Sequence, residues 1–193
     1  LVDYLVSPWL GMLAGAALAG LFGACVGFLL FRFGVRGHFF ALGTFAIAEL
    51  LRLLASEWDF INSSIGIHVP LVRGDDWARI QFERTPANYY YVILILFAVS
   101  MVITIFIVRR KIGFYFQAIR EDETAAAALG VDPLRTKIWA VVTSAALTAI
   151  GGSFFAQYFL FVDPILAFGA PVSVQILLRP IVGGIGTIWG PLL

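Results

Sequence analysis

Apolar residues along this chain gather into long runs separated by polar segments, and the run lengths predict membrane-spanning helices. Trp9 to Phe31 is 23 residues without a charge. At about 1.5 Å of rise each they cover roughly 34 Å, enough for a hydrocarbon core of about 30 Å. His38 to Ser56 predicts a second span, Tyr91 to Val108 a third and Ile138 to Val162 a fourth, broken by Asp163-Pro164. Residues 57–88 are too polar to span. Residues 165–193 are apolar but interrupted by glycines and prolines, from Gly169 and Pro171 to Gly190-Pro191. One straight helix does not fit there, and a broken or re-entrant segment does. The expected fold is therefore all-α: a polytopic transmembrane bundle, residues 1–193, with a broken C-terminal segment. A β-barrel would show alternating segments of about ten residues instead.

Composition narrows the class further. Of the 193 residues 61% are hydrophobic and 13% charged, against about 25% charged in an average soluble domain. A disordered chain, a nucleic-acid-binding domain and an ordinary soluble enzyme do not fit. The single cysteine, Cys25, excludes a disulfide within the chain and sits in an apolar run, where a buried inert thiol is expected. His38 and His68 lie far apart with no cysteine partner, so no metal site is expected, and no catalytic constellation is visible. The chain has no Walker lysine loop, so ATP-driven chemistry has to come from a partner. It starts at Leu1 and ends in an apolar run at Leu193, as an excerpt of a longer protein would.

The placement of charge orients the bundle. Arg32 and Arg36 lie in one connection, and Arg109, Arg110, Lys111, Arg120, Arg135 and Lys137 in the segment 109–137. Residues 57–88 hold three basic residues against five acids. Segments 32–37 and 109–137 are therefore expected in the cytoplasm. Gly11, Gly15, Ala19, Gly23 and Gly27 recur every four residues, a small-residue stripe for close helix contact.

Gln117 to Leu129 is rich in helix formers, with Gly130 at a C-cap position and Pro133 beyond. A short helix over about 117–129, between two spans, is predicted. Its alanines, Ala125 to Ala128, make a smooth face with little side-chain entropy to lose on docking.

Three blocks, in order, carry a resemblance: Arg36-Gly-His-Phe-Phe-Ala-Leu-Gly-Thr44 running into Glu49 and Arg52; Arg120-Glu-Asp-Glu-Thr-Ala-Ala-Ala-Ala-Leu-Gly130 followed by Lys137 and Ala140; and Gly183-Gly-Ile-Gly-Thr-Ile-Trp-Gly-Pro191. Together they resemble the LivH/LivM permeases of branched-chain amino acid ABC importers. The resemblance departs at Asn62 to Ile67, where a Thr-Gly-Gly run is more usual, and at Arg179-Pro180. It implies a bacterial or archaeal inner-membrane subunit without catalysis or cofactor of its own. Its partners would be a second permease subunit (a like copy or a related chain), two cytoplasmic ATPases that bind ATP and Mg, and an extracytoplasmic amino-acid-binding protein. The helix at 117–129 would be the coupling helix, with Arg120, Asp122, Glu123, Ala126, Ala127 and Gly130 on the coupling motif. The substrate could equally be another small polar solute such as urea, and a non-transporting scaffold subunit is the alternative from another class.

Pathway candidates are Thr44, Glu49, Arg52, Arg179, Gly183, Gly184 and Gly186. Glu49 and Arg52, three apart in an apolar helix, either mark a pathway or pair with each other near the helix end. Arg179 either reaches the interface or lines a cavity. The glycines either let backbone approach the substrate or let helices pack closely.

Overall fold

The structure, a computed structural model, describes residues 7–35, 37–58, 66–69, 77, 80–82, 85 and 87–184, without the side chains of His38, Leu166, Ala170, Leu177, Arg179 and Pro180. Gly186 and most of the polar segment 57–88 lie outside the described residues. The elements in chain order are α1 (Pro8–Arg32), α2 (His38–Glu57), β1 (Ile67–His68), α3 (Ala87–Arg109), α4 (Lys111–Glu121), α5 (Glu123–Ala128), α6 (Pro133–Phe159), β2 (Phe161–Val162), α7 (Pro164–Phe168) and α8 (Ala170–Gly183). Among the described residues, α1, α2, α3 and α6 are long and apolar enough to cross a membrane. Their outward faces carry exposed leucine, valine and phenylalanine, such as Leu18, Val102 and Phe106. A surface of that kind belongs in lipid rather than water.

Two compact units share the chain. One takes residues 1–36 and 71–158, the other residues 37–70 and 159–193.

In the first unit, α1 starts at Ser7 and Pro8 and ends in a Schellman motif, with Gly34 at φ +72° and Val35 N–H donating to Leu30 C=O at 3.1 Å. Gly15, Gly20, Gly23 and Gly27 face α6, and a Cβ on Gly23 would lie 3.1 Å from the Ala145 methyl. Gly11, expected in this stripe, faces open space. Cys25 is exposed on α1, not buried as expected; two residues from Gly23, it points away from the face that α6 covers. Met12, Ile80, Phe82, Val92 and Phe154 form a core with Tyr89 and Leu96 against it. The Tyr89 ring meets Phe82 edge-on at 5.1 Å, and its hydroxyl accepts the Phe82 N–H at 3.1 Å.

The short helix expected over 117–129 is instead two helices. At Asp122 the backbone is extended (φ −152°, ψ 114°), which ends α4 and starts α5. A Cβ on Gly113 would collide with the Val108 carbonyl, so glycine is what lets α4 turn tightly off α3. The helix expected over 138–162 is shifted: α6 begins at Pro133 and stops at Phe159, where Leu160 takes φ +55° and Phe161–Val162 becomes a strand.

In the second unit, β1 and β2 pair antiparallel, Ile67 opposite Val162 and His68 opposite Phe161. Gly66, at φ +82°, brings the chain so close that a Cβ would sit 2.7 Å from the Val162 carbonyl oxygen. α7 packs against both α2 and α8. The C-terminal segment is broken as far as it is described, with Gly169 between α7 and α8.

Candidate functional site

The segment between α3 and α6 is a chain of caps. Asp122 closes α4 with its own N–H, which donates to the Ala118 carbonyl at 3.1 Å. Its carboxylate then opens α5: Oδ1 accepts from Thr124 N–H at 2.8 Å, Ala125 N–H at 3.0 Å and the Thr124 hydroxyl at 2.6 Å. Those two amides would otherwise be orphans of the first helical turn. The Thr124 hydroxyl foremost, then the amides of Ala125 and Thr124, hold the Asp122 carboxyl below the usual carboxylate range.

α5 ends in a second Schellman motif. Gly130 takes φ +88°, its N–H donates to Ala127 C=O at 3.0 Å, and Val131 N–H donates to Ala126 C=O at 3.1 Å. Asp132 then caps α6, accepting from Arg135 N–H at 3.2 Å. The result is a six-residue helix held by a turn at each end. Ala126 is 2% exposed and faces inward, while Ala125, Ala127 and Ala128 are at the surface. Of the adjacent pair Ala126 and Ala127, only Ala127 is exposed. Arg120 is exposed near the end of α4. Glu123 is held in the chain by Lys137, Nζ to Oε2 at 2.7 Å.

Sequence reasoning missed Leu129, which is 85% exposed beside the alanine face. Its signal was its position: a leucine at the helix C-cap, directly before the cap glycine, has no helical neighbour to cover it.

The pathway candidates that are described lie in the second unit. Thr44 donates its hydroxyl to the Phe40 and Ala41 carbonyls, at 3.1 and 3.0 Å, so its own helix satisfies it. Glu49 and Arg52 form a two-pronged ion pair, Nη2 to Oε1 at 2.6 Å and Nε to Oε2 at 3.0 Å. The local-pair reading of these two residues matches this geometry. Arg179 falls within α8, and Gly183 and Gly184 form its end, with Gly184 at φ +96°.

An apolar groove of about 450 Å³ opens between α3 and α6, lined by Tyr90, Leu94, Phe97, Ser100, Leu147 and Ile150 among others. The Ser100 hydroxyl already donates to Phe97 C=O at 2.8 Å. The described residues that line the groove carry no charged group to replace the hydration of an ammonium or a carboxylate.

Four apolar spans and a largely helical fold among the described residues define a multi-pass, all-α membrane protein. The chain belongs to the family described as the permease component of branched-chain amino acid transport systems, which matches residues 1–193. It is 31% identical over 202 aligned positions to the high-affinity branched-chain amino acid transport system permease protein LivM of Salmonella typhimurium strain LT2, covering 92% of this chain and 47% of that protein. Identity and coverage are the same for LivM of Escherichia coli K12. A probable ABC transporter permease protein of Sinorhizobium fredii, y4mJ, is 28% identical over 185 positions, covering 93% of this chain and 52% of that one. The chain spans about half the length of these curated relatives. No solved structure matches it.

Proposed function

We propose that this chain is the membrane-spanning part of an ATP-driven importer subunit for branched-chain or related amino acids. Two cytoplasmic ATPases would bind ATP and Mg, a second permease subunit would complete the pathway, and an extracytoplasmic binding protein would deliver the substrate. The carrying observation is α5: a six-residue helix, capped at both ends, set between spans α3 and α6 and showing Ala127, Ala128 and Leu129 to a partner. The excess of Lys and Arg in 109–137 supports a cytoplasmic location for that face, and the names of the LivM relatives support the substrate class.

In this reading closure of the ATPases moves α5, α5 moves the spans it is tied to, and the pathway switches between outward and inward access. Discrimination among substrates would fall to the binding protein. The test is Ala127→Trp, and separately Leu129→Glu, in the full-length protein expressed with its ATPases. Both variants are expected to reach the membrane, lose ATPase in co-purification and lose leucine uptake. Full ATPase recovery and uptake in both would refute the reading.

A further inference from the structure

Three elements of the first unit converge on one ammonium group. Lys137 Nζ, in the second turn of α6, lies 2.7 Å from Glu123 Oε2 at the start of α5. It also lies 5.5 Å from the centre of the Phe31 ring near the end of α1. Both charged side chains are only about a quarter exposed, 23% for Lys137 and 24% for Glu123. The neighbouring pair of Arg135 and Asp132 is 84% and 51% exposed. Charges drawn that far out of water attract more strongly than a surface pair does, and the aromatic face adds a cation–π contact.

The position of the pair is what gives it a mechanical role. α5 joins α6 through the turn at Leu129–Asp132, and a Cβ on Gly130 would meet nothing within 4 Å. That turn is one attachment, at the C-terminal end of α5. Glu123 is the first residue of α5, so its bond to Lys137 is a second attachment, about 9 Å away at about 1.5 Å per residue. The cap at Asp122 ties that end of α5 to α4 and not to α6; with the turn alone the angle between α5 and α6 rests on one joint, whereas two ties to α6 fix it. At the same end the chain passes into α4 through the extended Asp122.

We infer that Lys137 is a positioning residue of the transport cycle. Its ion pair with Glu123, roofed by Phe31, makes α5 and α6 a single lever. Glu123 thereby acts on α6 through Lys137, and contact with the ATPase is left to Ala127, Ala128 and Leu129. This inference rests on the coupling reading of α5.

The test uses the full-length permease with its ATPases, second subunit and binding protein in proteoliposomes, reading leucine imported per ATP hydrolysed. Lys137→Ala and Glu123→Ala are each expected to lower that ratio by about fivefold or more, the range of a typical coupling energy, while ATPase co-purification is unchanged. Lys137→Arg, which keeps the charge and the ring contact, is expected to restore most of it, and so is the exchange of Glu123→Lys with Lys137→Glu. Lys137→Met, which keeps the apolar stem, takes the place of Lys137→Ala should that variant fail to assemble. An exchange no better than its single variants overturns the inference. So does loss of the ATPase in Glu123→Ala with its retention in Lys137→Ala, which would make Glu123 an ATPase contact. Failure of the coupling reading has a different signature: Ala127→Trp then keeps both its ATPase and its transport, whatever the Lys137 variants do.

Discussion

Replacing Gly130 by alanine isolates the cost of one backbone dihedral. At φ +88° an L side chain is strained by about 1–2 kcal/mol. Nothing lies within 4 Å of where the new methyl would stand, so no steric clash adds to that strain. The chain could escape by returning to negative φ, but it would then give up the bonds from Gly130 to Ala127 at 3.0 Å and from Val131 to Ala126 at 3.1 Å. At about 1 kcal/mol for each bond the escape gains nothing. The expected destabilisation is therefore about 1–2 kcal/mol, or about 2–8 °C in Tm for a domain of this size. Gly130→Asn should cost less, because asparagine visits the left-handed region more readily. Gly130→Pro should cost more, because proline fixes φ near −65° and removes the donor to Ala127. The assay is thermal unfolding of the detergent-solubilised chain, with leucine uptake measured in parallel. An alanine variant as stable as the parent, or an order other than Gly, Asn, Ala, Pro, would refute the cap geometry as the reason for glycine at this site.

Two further predictions follow from local geometry. The Asp122 carboxyl is held below its ordinary range in the folded state, so its contribution is complete above the unfolded value of about 3.9 and fades as pH falls through the lower folded value. Amide protection at Thr124 and Ala125, taken relative to the intrinsic exchange rate at each pH, should fall over that acid window in the parent but not in Asp122→Asn, which keeps an acceptor oxygen without the titration; identical acid profiles would count against the assignment. Gly66→Ala combines a positive φ with a methyl 2.7 Å from the Val162 carbonyl oxygen, and it should raise exchange at residues 66–69 and 160–162 while leaving α1 and α6 protected. Unchanged exchange at the bridge would show that the strands do not meet as described.

The spans were legible because membrane helices are long and apolar, and length and polarity are local properties. The boundaries were less so, for reasons that differ from place to place. Asp122 looks harmless inside a run of helix formers, yet its short carboxylate competes for backbone N–H groups and so favours a cap over a helix interior. Phe161 and Val162 read as the end of an apolar helix; their strand partners, Ile67 and His68, lie outside any local window. The glycine stripe was recognised, but its register drifts. Positions four apart turn about 40° further round a helix, so Gly11 leaves the α6 face and Gly20 enters it. Ala126 and Ala127 are chemically alike, and only the docking of α5 decides that the first is buried. Glu49 and Arg52 were open to two readings, of which the observed bond matches the pair.

The short bridge between β1 and β2 also bears on how the chain is made. Its two strands are about ninety residues apart, so at a synthesis rate of about 5–20 residues per second the first waits about 5–18 s for the second to leave the ribosome. During that interval α2 is already made while α7, which packs on it, is not. The insertion machinery would have to hold or shield α2 while α3 to α6 are made. The unit that contains Glu49 and Arg52 is then the last to close, and a ribosome stalled before Phe161 leaves it open.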